Sequence, residues 1–151
     1  MTLKEQIEQD LKRALLGGDK ERATTLRSIK SVILNVEIQE KKREKGLSDT
    51  EIVNILLKEQ KKRQESAELY ERGGASERAQ NELRERDVIS CYLPRQLDEK
   101  EIEVIVEHVK TELNASDVSK MGQVIGRVRE QTNGQADGAV IARIVKEKLG
   151  K

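Results

Sequence analysis

Three times along this chain a short polar residue is followed three positions later by glutamate: Thr2 and Glu5, Ser48 and Glu51, Asp98 and Glu101. Each pair has the spacing of a capping box, in which two side chains satisfy orphan backbone N–H groups at a helix start. Behind each box an aliphatic stripe begins. The apolar residues are Leu3, Ile7, Leu11 and Leu15; then Ile52, Val53, Ile55, Leu56 and Leu57; then Ile102, Ile105, Val106, Val109 and Leu113. Spacings of three and four recur among them, as on one face of an α-helix, and strand alternation does not produce them. Hydrophobic staples, Leu47 with Ile52 and Leu97 with Ile102, flank the second and third boxes.

The remaining segments follow the same pattern. Gly17-Gly18 ends the first helix and Asp19 caps a second, with Leu26, Ile29, Ile33 and Val36 as its stripe and an end near Lys45. Val32, Leu34 and Ile38 widen its apolar face, so it is expected to pack against more than one neighbour. The third helix loses its apolar stripe at Glu59, Gln60 and Arg63 and regains it at Ala67 and Tyr70. After Gly73-Gly74, Ser76 is expected to cap a fourth helix, giving an αα-hairpin with a wetter outer half. Pro94 disfavours helix at Leu93 and places a boundary there. Two further helices are expected, one from about Asp117 to Gln131 and one after Asp137. The expectation is an all-α protein: an N-terminal helical module over residues 1–93 with a long hairpin, then a small three-helix module over residues 94–151.

Composition narrows the function. Aromatic residues are 1% of the chain, so single-strand recognition by stacked bases has only Tyr70 and Tyr92 to draw on. The net charge of +1 lacks the basic excess of a nonspecific nucleic-acid binder, so any such contact must come from a local patch. One patch exists. Residues 94–115 hold three basic and six acidic residues, whereas residues 116–151 hold seven basic and four acidic. Basic runs at Lys41-Lys42-Arg43 and Lys61-Lys62-Arg63 are interleaved with glutamate and read as solvated helix faces.

Catalytic chemistry is harder to find. With one histidine, His108, and one cysteine, Cys91, a zinc site of the usual four N or S ligands cannot be assembled. His108 lies off the apolar stripe and is expected at the surface; Cys91, beside Tyr92 and Leu93, is expected to pack inside. No nucleophile elbow, phosphate loop or dinucleotide fingerprint occurs. No catalytic residue, metal or cofactor is expected. No apolar run approaches the ~20 residues needed to span a bilayer, and no secretory leader is evident. A reducing cytosol or an organelle matrix is the expected compartment.

One stretch asks for more than scaffold. Gly122 and Gly126 lie four apart on one helix, where each costs about 0.5–1 kcal/mol relative to alanine. Close approach of a neighbouring helix backbone, or of a ligand backbone, is the expected compensation. Gly134 suits a positive-φ turn, and Asp137 with Gly138 opens the last helix with free N–H groups, although the Asp137 carboxylate fills part of that anion site itself.

The block Met121-Gly-x-Val-x-Gly126, Gly134-x-Ala-Asp-Gly138 and Val145-Lys-x-x-Leu149 resembles the C-terminal motif of the GatB/YqeY family. Leu26-Arg27, Asn35-x-Glu37-Ile38, Lys58-x-Gln60-x-x-Arg63-x-x-Ser66 and Tyr92-Leu93-Pro94-x-Gln96-Leu97 fit the YqeY pattern, so the resemblance covers essentially the whole chain. Gln123 departs from it, standing where the family usually has lysine. The resemblance implies a C-terminal module similar to the tail of GatB, the tRNA-dependent amidotransferase subunit, which helps grip tRNA while chemistry resides elsewhere. Family members carry the label of a carbon–nitrogen ligase using glutamine as amide donor; no residue here supports that activity in isolation.

Two readings of function follow. In the first, the chain contacts tRNA through its basic C-terminal helices, with Lys120, Arg127, Arg129, Arg143 and Lys146 as phosphate contacts. In the second, it is an adaptor for amidotransferase or other translation proteins, with Glu59, Gln60 and Arg63 either a docking face or a semi-buried polar network.

Overall fold

All three capping boxes form. Thr2, Ser48 and Asp98 each accept the N–H of the glutamate three residues on, and each glutamate carboxylate accepts the cap residue's own N–H. The computed structural model describes residues 1–150, and no strand occurs among them. The helices are α1 (Leu3–Leu16), α2 (Lys20–Gln39), α3 (Asp49–Arg72), α4 (Ser76–Ser90), α5 (Glu99–Glu112), α6 (Met121–Thr132) and α7 (Gly138–Leu149). A 3-10 turn, Val118–Lys120, precedes α6 where continuous α-helix was expected from Asp117. The chain divides into two compact units, Met1–Leu93 and one that begins at Pro94.

In the first unit α2 is central, packing against α1, α3 and α4. Its stripe of Leu26, Ile29 and Ile33 is fully buried against Ile7, Ile52, Leu56 and Ile89. The hairpin of α3 and α4 turns through Gly73 and Gly74, the latter at φ +80°, where a side chain would be strained. Its base is aliphatic. Farther out only Ala67 and Ala79 are buried apolar residues, so polar pairs take over the contact.

Three local expectations need correction. Helix α2 ends at Gln39 rather than near Lys45. Lys41 takes a left-handed conformation (φ 57°). The Lys42 N–H donates to Glu37 O at 2.8 Å and the Lys41 N–H to Ile38 O at 3.2 Å, the two bonds of a Schellman stop. A lysine does here what glycine usually does. Ser76 is the first helical residue of α4 rather than its cap; Ala75 occupies that position and offers no side-chain acceptor. Cys91 is exposed, because the chain leaves the helix at that residue and directs Tyr92 inward instead.

Tyr92 is 8% exposed, and its hydroxyl donates to Asp10 Oδ2 at 2.6 Å. Burial, and then the bond to the Asp10 carboxylate, push the phenol well above its ordinary range. The folded state therefore holds this proton more tightly than the unfolded chain does. The associated stability is intact below about pH 10, the ordinary phenol value, and is lost as pH rises beyond it. Tyr92→Phe is expected to remove that pH dependence and to cost about 1.5–3 kcal/mol near neutrality, as loss of a bond to a charged acceptor. Urea midpoints measured from neutral to alkaline pH for both proteins check this.

In the second unit α5, α6 and α7 pack pairwise around Val106, Val109, Val124, Val128, Ile141, Ile144 and Val145. The segment after Pro94 is tied to the turn between α6 and α7. The Leu97 N–H donates to Gln135 O at 2.8 Å, and Gln96 Nε2 donates to Gly134 O at 3.0 Å. Asn133 caps α6 in the left-handed region, and Gly134 follows at φ +84°. That turn is an anchor as well as a connection.

Candidate nucleic-acid interface

The charge asymmetry along the second unit becomes a set of cross-helix pairs once the helices pack. Arg143 on α7 meets Glu99 at the start of α5, and also Glu147 at 3.2 Å on its own helix. Lys148 on α7 lies 3.9 Å from Glu107 of α5. Arg127 on α6 meets Glu112 at the end of α5 at 3.0 Å, and Glu130 at 3.9 Å. The acidic helix and the basic helices neutralise each other in part.

The five basic candidates therefore differ in what they offer. Arg127 and Arg143 are exposed but paired. Lys120 donates from Nζ to Leu113 O at 3.3 Å, satisfying the C-terminal end of α5. Lys146 is exposed and makes no ion pair among the described residues. Arg129 is exposed, and its guanidinium Cζ lies 3.8 Å from where a Cβ on Gly138 would stand. It thus covers the first turn of α7, where Asp137 accepts the Ala139 N–H at 3.3 Å.

Gly122 and Gly126 do not meet a neighbouring helix. A Cβ built on either has no heavy atom within 4 Å, and both residues are exposed. The expected close backbone approach within the fold is absent because Val124 and Val128, on the opposite side of α6, make the packing face. At 100° per residue the two glycines form a low crest, with Arg129 about 20° from Gly122, Arg127 about 100° round from Gly126, and Glu130, one turn on, continuing the glycine row. Between Val118 and Arg129 the chain has no acidic residue. Since neither glycine is constrained by space or by positive φ, Gly122→Ala and Gly126→Ala are each expected to stabilise the second unit by about 0.5–1 kcal/mol. Thermal melting followed by helical circular dichroism checks that.

The other candidate face turns inward. Glu59 is 5% exposed. Arg63 Nη1 donates to Glu59 Oε2 at 2.6 Å, Nη2 donates to Ser28 Oγ of α2 at 3.1 Å, and Nε lies 3.5 Å from Glu85 of α4. Gln60 Nε2 donates to Ser90 Oγ of α4 at 2.7 Å, and Ser90 Oγ passes the chain on to Arg86 O. Of the two alternatives for these residues, their geometry is that of a semi-buried polar network joining α2, α3 and α4. His108 is exposed, and no group of three His, Cys, Asp or Glu residues is arranged to hold a metal ion among the described residues.

Sequence reasoning passed over one buried charge. Glu37 is fully buried, with the Lys4 ammonium 2.9 Å from Oε1 and 3.2 Å from Oε2. The signal was present: Glu37 lies four residues after Ile33, on the core stripe itself. It lines a cleft of about 240 Å³ between α1 and α2.

A sequence model of the Yqey-like protein family matches residues 4–149. Two curated relatives are named "Altered inheritance of mitochondria protein 41, mitochondrial". The one from Kluyveromyces lactis is 28% identical over 130 residues, which are 83% of this chain and 69% of that protein. The one from Eremothecium gossypii is 33% identical over 87 residues, 58% of this chain and 46% of that protein. No helix among the described residues is long and apolar enough to cross a membrane.

Proposed function

The chain belongs to the YqeY-like protein family, and from that premise we propose that its C-terminal unit is a tRNA-contacting accessory module related to the amidotransferase tail. The observation that carries this reading is the exposed crest of α6. Gly122 and Gly126 weaken the helix and have no packing partner, while exposed Arg129 lies beside Gly122 and exposed Arg127 lies farther round the same helix. A phosphate backbone can lie against the two glycines, with the Arg129 guanidinium beside it and Arg127 reaching from farther round the helix. With two tyrosines and no other aromatic residue in the chain, shape and phosphate recognition of folded RNA is the mode proposed.

Lys146 and Lys120 extend the positive field, and Arg143 joins it only by exchanging Glu99 for phosphate. No residue is assigned a catalytic role, and no cofactor is invoked. The proposed compartment is a reducing cytosol or an organelle matrix, where the exposed Cys91 stays a thiol. The adaptor reading through Glu59, Gln60 and Arg63 draws no support from side chains held in an internal network.

Titration of the purified chain with unmodified tRNA at low salt tests the proposal. Binding is expected to weaken as salt rises, with a logarithmic slope of about −0.7 to −0.9 per phosphate neutralised. Arg127→Glu with Arg129→Glu is expected to lower affinity about tenfold or more, in keeping with losing two charge-assisted contacts. Gly126→Ala should weaken binding while raising thermal stability, a combination that a purely structural glycine does not give. Salt-independent binding, or absence of binding at low salt, refutes the tRNA reading.

A further inference from the structure

Between α1 and α2 of the first unit the surface departs from the charge pattern of the rest of the chain. From Arg22 to Val36 the sequence contains no acidic residue. Thr24, Arg27, Ser31, Leu34, Asn35 and Ile38 are all exposed and share one stripe of α2, about 21 Å long at 1.5 Å per residue. Leu34 is 38% exposed and Ile38 52%. Beside this stripe opens the 240 Å³ cleft, with Ile7, Ile33 and Leu34 as its apolar lining, Lys4, Lys30 and Arg43 as its cations, and Glu8 and Glu37 as its carboxylates.

Those cations are not equally committed. Lys4 is held by buried Glu37. Lys30 has only a loose, exposed pairing with Glu8 at 3.8 Å. Arg43, in the turn after α2, and Arg27, on the stripe itself, make no ion pair among the described residues. Aliphatic side chains at the centre with uncommitted arginines at the edge form the pattern of a protein-recognition surface.

We propose that this α1–α2 groove docks an acidic amphipathic helix of a partner protein. The partner would place one aliphatic side chain in the cleft and set carboxylates against Arg27, Lys30 and Arg43. Charge complementarity selects this occupant. A second copy of the chain, packed face to face on the same stripe, would oppose Arg27 and Lys30 with themselves. A nucleic acid would satisfy the arginines but leave Leu34 and Ile38 without a partner. Three to four turns of helix match the stripe, in the way groove-bound helices use anchors at i, i+3, i+4 and i+7.

The test introduces a photo-crosslinking phenylalanine analogue at Leu34 of the full chain in its native cell, with Val104, 70% exposed in the second unit, as the control position. The expected result is a crosslinked protein segment, identified by mass spectrometry, with aliphatic residues at helical spacing and acidic residues on both flanks. A synthetic peptide of that sequence should bind the purified chain, weaken about tenfold or more with Arg43→Glu, and keep most of its affinity with Arg43→Lys. Unchanged circular dichroism of both variants separates loss of docking from loss of fold. Crosslinking to RNA, to a second copy, to a segment without that pattern, or no more strongly than at Val104 overturns the proposal. So does peptide binding that Arg43→Glu leaves intact.

Discussion

Arg63→Ala is expected to destabilise the first unit by about 3 kcal/mol, at the lower end of what breaking a buried ion pair costs. The guanidinium is the hub of three contacts, to Glu59 on α3, Ser28 on α2 and Glu85 on α4. Removing it leaves the Glu59 carboxylate inside the fold, with only the exposed Lys62 ammonium at 3.5 Å for compensation. Arg63→Lys keeps the charge but not the fork that reaches two helices at once, so a loss of about 1–2 kcal/mol is expected. Replacing both members of the pair, Glu59→Leu with Arg63→Met, should recover much of the stability, because no charge is then left without a partner. Both tyrosines, Tyr70 and Tyr92, lie in the first unit and the chain has no tryptophan, so tyrosine fluorescence in urea follows that unit alone. A loss below about 0.5 kcal/mol for Arg63→Ala, typical of a surface site, would reinstate a docking role for this face.

The second large effect concerns Glu37 and Lys4, and it is asymmetric. Lys4→Ala is expected to cost about 2 kcal/mol, because it strips a fully buried carboxylate of its counter-charge. Glu37→Leu is expected to be neutral or to stabilise by about 1 kcal/mol. Leucine, larger than glutamate by about one methylene that the adjoining cleft can take, continues the stripe from Ile33, while the partly exposed Lys4 can swing its ammonium into water. If Glu37→Leu instead destabilises as much as Lys4→Ala, the pair is a net contributor to the fold. If it is neutral, the carboxylate is retained for something other than stability, and the cleft it lines is where to look. The same urea titration decides between them.

Local chemistry is legible in the sequence where a helix begins with a capping box, and not where it lacks one, as at Ala75 before α4. A capping box needs only four consecutive residues, and Thr2, Ser48 and Asp98 each close one. The end of α2 was not legible, because the residue that turns left-handed is Lys41, in a run of charged residues that suits a continuing helix equally well. The cost of Gly122 and Gly126 is legible in the sequence, but which compensation applies is not: only packing reveals that Val124 and Val128 take the inner face and that no neighbouring helix approaches the glycines, which leaves the ligand-backbone alternative. The Glu59–Gln60–Arg63 break in the stripe was readable as polar, but its sense depended on Ser28, Glu85 and Ser90, which lie far off in the chain. The pairing of Arg143 with Glu99 is beyond sequence reasoning for the same reason: the two residues are brought together by the packing of α7 on α5.

That last pairing has a consequence for selectivity. On the tRNA reading proposed above, Glu99 and Glu112 hold Arg143 and Arg127 where phosphate groups would sit, as a built-in decoy. An incoming polyanion must outcompete carboxylates that are tethered and always present. Isolated anions, and sparse charges on other cell components, lose that contest. A densely charged backbone, which presents several groups at once and releases counterions as it binds, wins it. On that reading the internal acids would act as a threshold, trading some affinity for discrimination.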